Sequence, residues 1–256
     1  MSLNYIIKSP LEQFEINTFL GLSSSILDIS FINVTSFTLY VLLVLGVYYF
    51  INVFTLKNGK LVSTNWNISV EALYSTIQNM VINQIGPKGT QFFPFIYSLF
   101  VFILLANMIS MIPYNFAVNS QLIFVVSLSV TLWIGVTVMG FANHNLEYFG
   151  LFVPSGCSLP LVPLLVLIEG ISNLARSVSL GLRLGANILS GHLLLTILCG
   201  LIFDFMSSSI ILFFIGFIPL AVVLGIVALE FAIAAIQAYV FCILTCSYIK
   251  DAVYLH

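Results

Sequence analysis

The chain has 256 residues, of which 61% are hydrophobic and only 6% charged, whereas a soluble domain carries roughly 25% charged residues. Seven Lys and Arg with nine Asp and Glu cannot cover a globule of this size, so the apolar surface must face lipid. A net charge of −2 with so few scattered cations leaves no basic face, which excludes a nucleic-acid binder.

The first eleven residues are too short and too interrupted, by Asn4, Lys8 and Pro10, to read as a secretory signal, whose apolar region alone needs roughly 7–15 residues. Charges are so sparse that the gaps between them map the spans. The uncharged run from Ile29 to Leu56 holds the first, over residues 35–56, long enough for a ~30 Å hydrocarbon layer at about 1.5 Å per residue. Lys57, Lys60 and Lys88 follow it, and the positive-inside rule puts that loop inside and the N-terminus outside. Within the loop, Val70, Leu73, Tyr74, Ile77, Val81 and Ile85 recur at helical spacing opposite Glu71, Ser75, Gln78, Asn79 and Asn83. This predicts an interfacial amphipathic helix over residues 69–85, capped by Ser69 and stopped by Gly86-Pro87.

Between Lys88 and Glu147 there is no formal charge, and Pro113-Tyr114-Asn115 divides the run into two spans, over residues 92–112 and 120–141. The following segment, with Asn143, His144, Glu147 and three prolines, reads as an irregular interfacial loop in which His144 is solvated. From Leu164 to Asp204 no proline occurs, and a helix of ~40 residues would be ~60 Å long. Such a helix bends back or lies strongly tilted, and the absence of turn chemistry favours the tilt. Residues 164–203 and 210–250 therefore form a long slanted hairpin joined near Asp204 to Ser209. The fold class is an all-α membrane protein of about five membrane helices plus one interfacial helix, with residues 1–256 a single integral membrane domain.

Cys157, Cys199, Cys242 and Cys246 lie in or beside apolar runs, which speaks against a disulfide framework. Cys242 and Cys246 are one turn apart, but no His or third Cys is near them in sequence, so no metal site and no cofactor is expected.

The fourth span carries a polar line. Glu169, Arg176 and Arg183 are each seven apart, so they fall within about 40° on one helix face, extended by Ser172, Asn173, Ser179, Asn187 and Ser190. An unpaired Arg at mid-bilayer costs about 2.5 to 17 kcal/mol, so Arg183 needs an anionic partner or water. Arg176 reads equally as a residue snorkelling towards the inside interface near Glu169. The small residues around Arg183, Gly181, Gly185 and Ala186, suit the close approach of a partner helix. The last helix has its own line, Glu230, Gln237 and Asp251. His192 lies about 180° round from Arg183, and Glu230 is the deepest carboxylate within its reach, so the pair reads as a proton relay or as a structural hydrogen bond.

Ser179-Leu180-Gly181-Leu182-Arg183-Leu184-Gly185-Ala186-Asn187 with His192 downstream, Glu230 to Gln237, and Ser247-Tyr248-Ile249-Lys250-Asp251 resemble subunit a of F-type ATP synthases, above all its mitochondrially encoded fungal form. The likeness extends to Met111-Ile112-Pro113-Tyr114 and to the Leu11-Glu12-Gln13-Phe14-Glu15 run. It implies that Arg183 faces the rotor ring of c subunits, flanked by Asn187 and Gln237. By the same resemblance His192 and Glu230 belong to the half-channel open to the intermembrane space, and Glu169 and Asp251 to the matrix half-channel. Further partners implied are the peripheral stalk, small accessory membrane subunits and the bilayer of the mitochondrial inner membrane, with the N-terminus in the intermembrane space and the C-terminus in the matrix. Fungal relatives often lose a short leader just before a Ser-Pro such as Ser9-Pro10. Bacterial relatives carry Glu where this chain has His192, His where it has Glu230, and Phe-Gly in place of Gly185-Ala186.

Two other classes compete. A proton-pumping subunit of a respiratory complex would be expected to show repeated broken helices and a mid-membrane Lys, and an intramembrane protease a Gly-x-Ser-x-Gly or His-Glu-x-x-His element; the sequence has none of these.

Overall fold

The computed structural model describes residues 11–20, 33–57, 65–112, 115–152 and 162–254. Residues 1–10, Lys60, Pro113, Tyr114 and Cys157, on which several of the expectations above rest, lie outside the described residues. The chain is an all-α membrane protein with one short β pair. Five helical segments are long and apolar enough to cross a membrane: Ser36–Phe54, Phe93–Ser110, Leu122–His144, Val162–Ser208 and Ile211–Val253.

Helix α1 (Ser36–Lys57) starts at a reciprocal cap. The Thr35 N–H donates to Thr38 Oγ1 at 3.0 Å and the Thr38 N–H returns a bond to Thr35 Oγ1 at 3.4 Å, satisfying two donors of the first turn. An antiparallel pair of strands, β1 (Thr18–Leu20) and β2 (Val34–Thr35), holds the N-terminal segment against this start.

Helix α2 (Asn65–Ile85) begins four residues before Ser69. Ser69 is therefore not its cap; it lies inside the helix, and its hydroxyl donates to the Asn65 carbonyl at 3.0 Å, a local bond that a helical serine makes readily. Ile77, Met80, Val81 and Ile85 form its buried side. The helix ends at Gly86, whose φ of 88° suits a residue without Cβ, followed by a 3-10 turn over Pro87–Gln91.

Helix α3 (Phe93–Ser110) is the most enclosed of the five, with half of its residues buried against about one in ten elsewhere. A 3-10 turn (Val118–Ser120) leads into α4 (Leu122–His144), which runs on to His144 before a further 3-10 segment (Asn145–Phe152). His144 is thus not a solvated loop residue. It is half-buried at the end of α4, with Nε2 3.3 Å from the Val253 carbonyl, one of the carbonyls that a helix C-terminus leaves without an internal partner.

Helix α5 (Val162–Ser208) is one uninterrupted helix of 47 residues, so it does not bend back midway. The expected turn at Asp204 to Ser209 shrinks to Ser209 alone. Ser207 and Ser208 turn their hydroxyls onto the Asp204 carbonyl and continue the helix, and the Ser209 hydroxyl then caps the short α6 (Ile210–Ile215). After Gly216 comes α7 (Phe217–Val253). Pro94, Pro163 and Pro219 all fall in the first turn of their helices, where a missing N–H removes no internal bond.

By contacts the chain divides into two units. One is built from Met1–Tyr49, Leu104–Gln121 and Gly185–Ile236. Its interior includes a polar knot: Asn107 Nδ2 donates to the Ala234 carbonyl at 3.0 Å, and Asn119 Nδ2 to Asn107 Oδ1 at 2.6 Å, all of it buried. The other is built from Phe50–Ile103, Leu122–Leu184 and Gln237–His256, with Ile77, Val81, Ile96, Val125, Phe241 and Ile249 in its core. Cys242 and Cys246 are buried there as free thiols, with Cys242 Sγ against the Ile96 carbonyl. Among the described residues no group of three or more His, Cys, Asp and Glu is arranged to hold a metal ion.

Candidate functional site

In the first unit, α5 supplies Asn187 and His192 and α7 supplies Glu230 to one small cavity of about 20 Å³, closed by Met111, Ile188 and Ile233. That volume accommodates about one water molecule. The Glu230 carboxylate lies directly against Gly191 of α5, where a Cβ would meet Glu230 Oε1 and push the carboxylate aside. His192 Nε2 and both Glu230 oxygens are buried, and none has a hydrogen-bond partner among the described residues. His192 and Glu230 therefore share a cavity without bonding each other directly.

The surroundings fix both groups. The Phe14 ring meets the His192 imidazole edge-on, with centroids 6.4 Å apart. Gln121 Nε2 donates to the Phe14 carbonyl at 2.8 Å, and Gln13 Nε2 to Thr196 Oγ1 at 3.1 Å, so the N-terminal segment is tied beside α5. Asn107 holds α7 one turn beyond Glu230 through the Ala234 carbonyl.

In the second unit a larger cavity, about 60 Å³, is lined by Glu169, Asn173 and Arg176 from α5, Tyr248 and Asp251 from α7, Trp133 and Thr137 from α4, and Tyr148. It has room for several waters. The Trp133 indole N–H and the Tyr248 hydroxyl are buried with no hydrogen-bond partner among the described residues. Tyr148, beyond the end of α4, is almost fully buried, and burial first and the Asp251 charge second push its phenol above the usual tyrosine range, so it stays protonated at neutral pH.

Arg183 belongs to this unit and is exposed on α5, as are Ser172, Arg176 and Ser179 at helical spacing. Gln237 is buried on α7. Asn187 and Ser190 are exposed on the α5 stretch of the first unit. The expectation that Gly181 opens a seat for a partner helix is corrected: Gly181 is buried against this chain's own α4. A Cβ there would lie 2.9 Å from the Val125 carbonyl oxygen, and next door the Ser177 hydroxyl donates to the Ser129 carbonyl at 3.2 Å. The small residue serves an internal helix crossing, which leaves Ser179, Arg183 and Ala186 on the free side.

The sequence reading did not single out Asn107, Trp133, Tyr248 or Gly191. Asn107 had a signal, an amide inside an apolar span. Tyr248 had one too, since it precedes Asp251 by three residues and so shares its face.

The fold and these cavities define a class: a polytopic α-helical membrane protein with ionisable side chains lodged inside its spans. Residues 35–250 match the family described as ATP synthase A chain. The chain is 55% identical over 254 residues to the ATP synthase subunit a of Wickerhamomyces canadensis, covering 99% of each. It is 54% identical to that of Saccharomyces cerevisiae, covering 99% of this chain and 98% of the relative, and 53% identical to that of Yarrowia lipolytica, covering 99% and 100%. The chain belongs to the ATP synthase A chain family.

Proposed function

We propose that this chain is the proton-translocating stator subunit of an ATP synthase membrane sector, itself without catalytic residues, working against a rotating c-ring in the mitochondrial inner membrane. The observation that carries the reading is the presence of two cavities inside the spans, the smaller lined by Glu230 and His192 and the larger by Glu169 and Asp251. Intramembrane carboxylates are costly unless they exchange protons with water or a partner. A proton reaching His192 and Glu230 neutralises a ring carboxylate and lets that c subunit turn into lipid, where the charged form would be prohibitively costly. After nearly a full turn the carboxylate releases its proton towards Glu169 and Asp251. Arg183, exposed on α5, pairs with the ionised ring carboxylate and repels a proton that would cross directly. Asn187 and Gln237 flank it without titrating.

Helix α5, more than twice the ~20 residues a span needs, lies strongly tilted against the ring. Peripheral-stalk and small accessory membrane subunits cover apolar faces left exposed. The Lys57 and Lys88 side is the matrix, so the N-terminus lies in the intermembrane space and the C-terminus in the matrix.

The test uses the whole complex in vesicles, with one substitution per cavity. Glu230→Gln and Asp251→Asn are each expected to reduce ATP-driven proton pumping at least tenfold with assembly intact, because either change removes a group that titrates on the path. Pumping at the normal rate in both would sink the reading.

A further inference from the structure

The larger cavity holds two donors that the reading above does not use. The Trp133 indole nitrogen can only donate, and the Tyr248 hydroxyl both donates and accepts. Both atoms are buried, the tyrosine residue is only 6% exposed, and neither finds a partner among the described residues. A buried unsatisfied donor is costly, and native proteins rarely retain one without an acceptor. Both residues border a cavity large enough for a short file of waters, and the other polar groups on its wall include the Glu169 and Asp251 carboxylates.

Position distinguishes Tyr248 from a generic wall residue. It stands one turn before Asp251 on the same face of α7, and besides its burial the charges acting on its hydroxyl are those of Arg176, Arg183 and Asp251. It shares the cavity wall with Arg176 of α5 and with Asp251 near the end of α7. Trp133 approaches the same cavity from α4. The groups facing the cavity from each element are Glu169 and Arg176 on α5, Asp251 on α7 and Tyr148 after α4. Tyr248 adds a neutral hydroxyl that can donate and accept, and unlike the Thr137 hydroxyl, which donates to the Ile134 carbonyl at 2.8 Å, it has no partner among the described residues.

We infer that Tyr248 is a further positioning residue of the proton path: its hydroxyl, with the Trp133 N–H, fixes the waters that connect the Arg183 region to Asp251. This rests on the larger cavity being part of the proton path. No bond is made or broken at Tyr248 itself; the hydroxyl accepts a hydrogen bond from one water while donating to the next, and it remains a neutral phenol throughout.

The experiment compares Tyr248→Phe, Trp133→Phe and the pair with the parent complex in vesicles, measuring proton-driven ATP synthesis in H2O and in D2O. Tyr248→Phe deletes one polar atom and keeps the ring, and Trp133→Phe removes the indole N–H with the five-membered ring while keeping an aromatic side chain. Tyr248→Phe should slow synthesis about tenfold and raise the solvent isotope effect, and Trp133→Phe should slow it about threefold, as expected for loss of one hydrogen bond. The double should be less than multiplicatively worse, because both changes release the same waters. Asp251→Asn is the control for the underlying reading. If Asp251→Asn is inactive while Tyr248→Phe runs at the parent rate with an unchanged isotope effect, the inference is overturned and the path stands. If Asp251→Asn is itself as fast as the parent, the path reading has failed instead. A Tyr248→Phe chain that does not assemble, alongside Trp133→Phe at parent rate and isotope effect, would also overturn it, since the phenol would then be structural.

Discussion

At the scale of single residues, the smaller cavity rests on His192 Nε2 and the Glu230 carboxylate, buried atoms that have no hydrogen-bond partner among the described residues. The Glu230 carboxylate packs on Gly191, where a side chain would displace it, and His192 shares its cavity without bonding it. If the relay needs one imidazole and one carboxylate in a shared hydrated space, their order is immaterial. His192→Glu combined with Glu230→His should then recover more proton-driven ATP synthesis than either change alone. Each single change leaves two like groups: a carboxylate pair in which repulsion keeps one proton bound, or an imidazole pair with no anion to attract the incoming proton. A double variant no better than the poorer single would show that the two act independently. Residues of this kind are legible in sequence, because a charge or imidazole in an apolar run announces its own cost. Trp133 is not, and Tyr248 is legible only through its spacing from Asp251. Amphipathic aromatic residues are common in membrane helices as interface anchors, and only the meeting of α4, α5 and α7 shows that these two point polar atoms at a cavity.

At the scale of elements, the gaps between charges mark the membrane helices, because twenty uncharged apolar residues have few other stable fates. Their ends are less legible. Ser69 and Ser207 to Ser209 carry the chemistry of caps and turns, yet all but Ser209 satisfy their hydroxyls on a preceding carbonyl and let the helix continue. The β1–β2 pair was invisible for a related reason, since two or three residues on each side give no periodicity to read. Gly181 shows how a motif misleads: its smallness fits a helix crossing, but sequence cannot say whose helix crosses. Asn107 is the clearest structural link between element and function, tying α3 to α7 one turn from Glu230 and accepting from Asn119. Asn107→Leu would leave the buried Asn119 amide without its acceptor, at about 1–3 kcal/mol, and would remove the bond that the Ala234 carbonyl accepts beyond its place in helix α7. The assembled complex should melt at a lower temperature and transport protons more slowly, which thermal unfolding and pumping assays on the same preparation would read. An unchanged melting temperature would mean the knot contributes nothing to stability.

At the scale of the whole molecule, the account requires a fixed orientation and a barrier between two proton routes. The orientation is checked by single added thiols: Leu11→Cys should react with an impermeant maleimide only from the intermembrane side, and Glu147→Cys only from the matrix side. The reverse pattern would invert the topology. The barrier proposed above depends on Arg183, which is exposed on α5. The most direct measurement is ATP-driven proton pumping, together with passive proton leak, in vesicles carrying the complex with Arg183→Ala or Arg183→Lys. Coupled pumping should vanish in both, because an ammonium lacks the fixed planar charge of a guanidinium, and Arg183→Ala should leak protons passively. Coupled pumping at the parent rate by either variant, with the subunit assembled, would contradict the account.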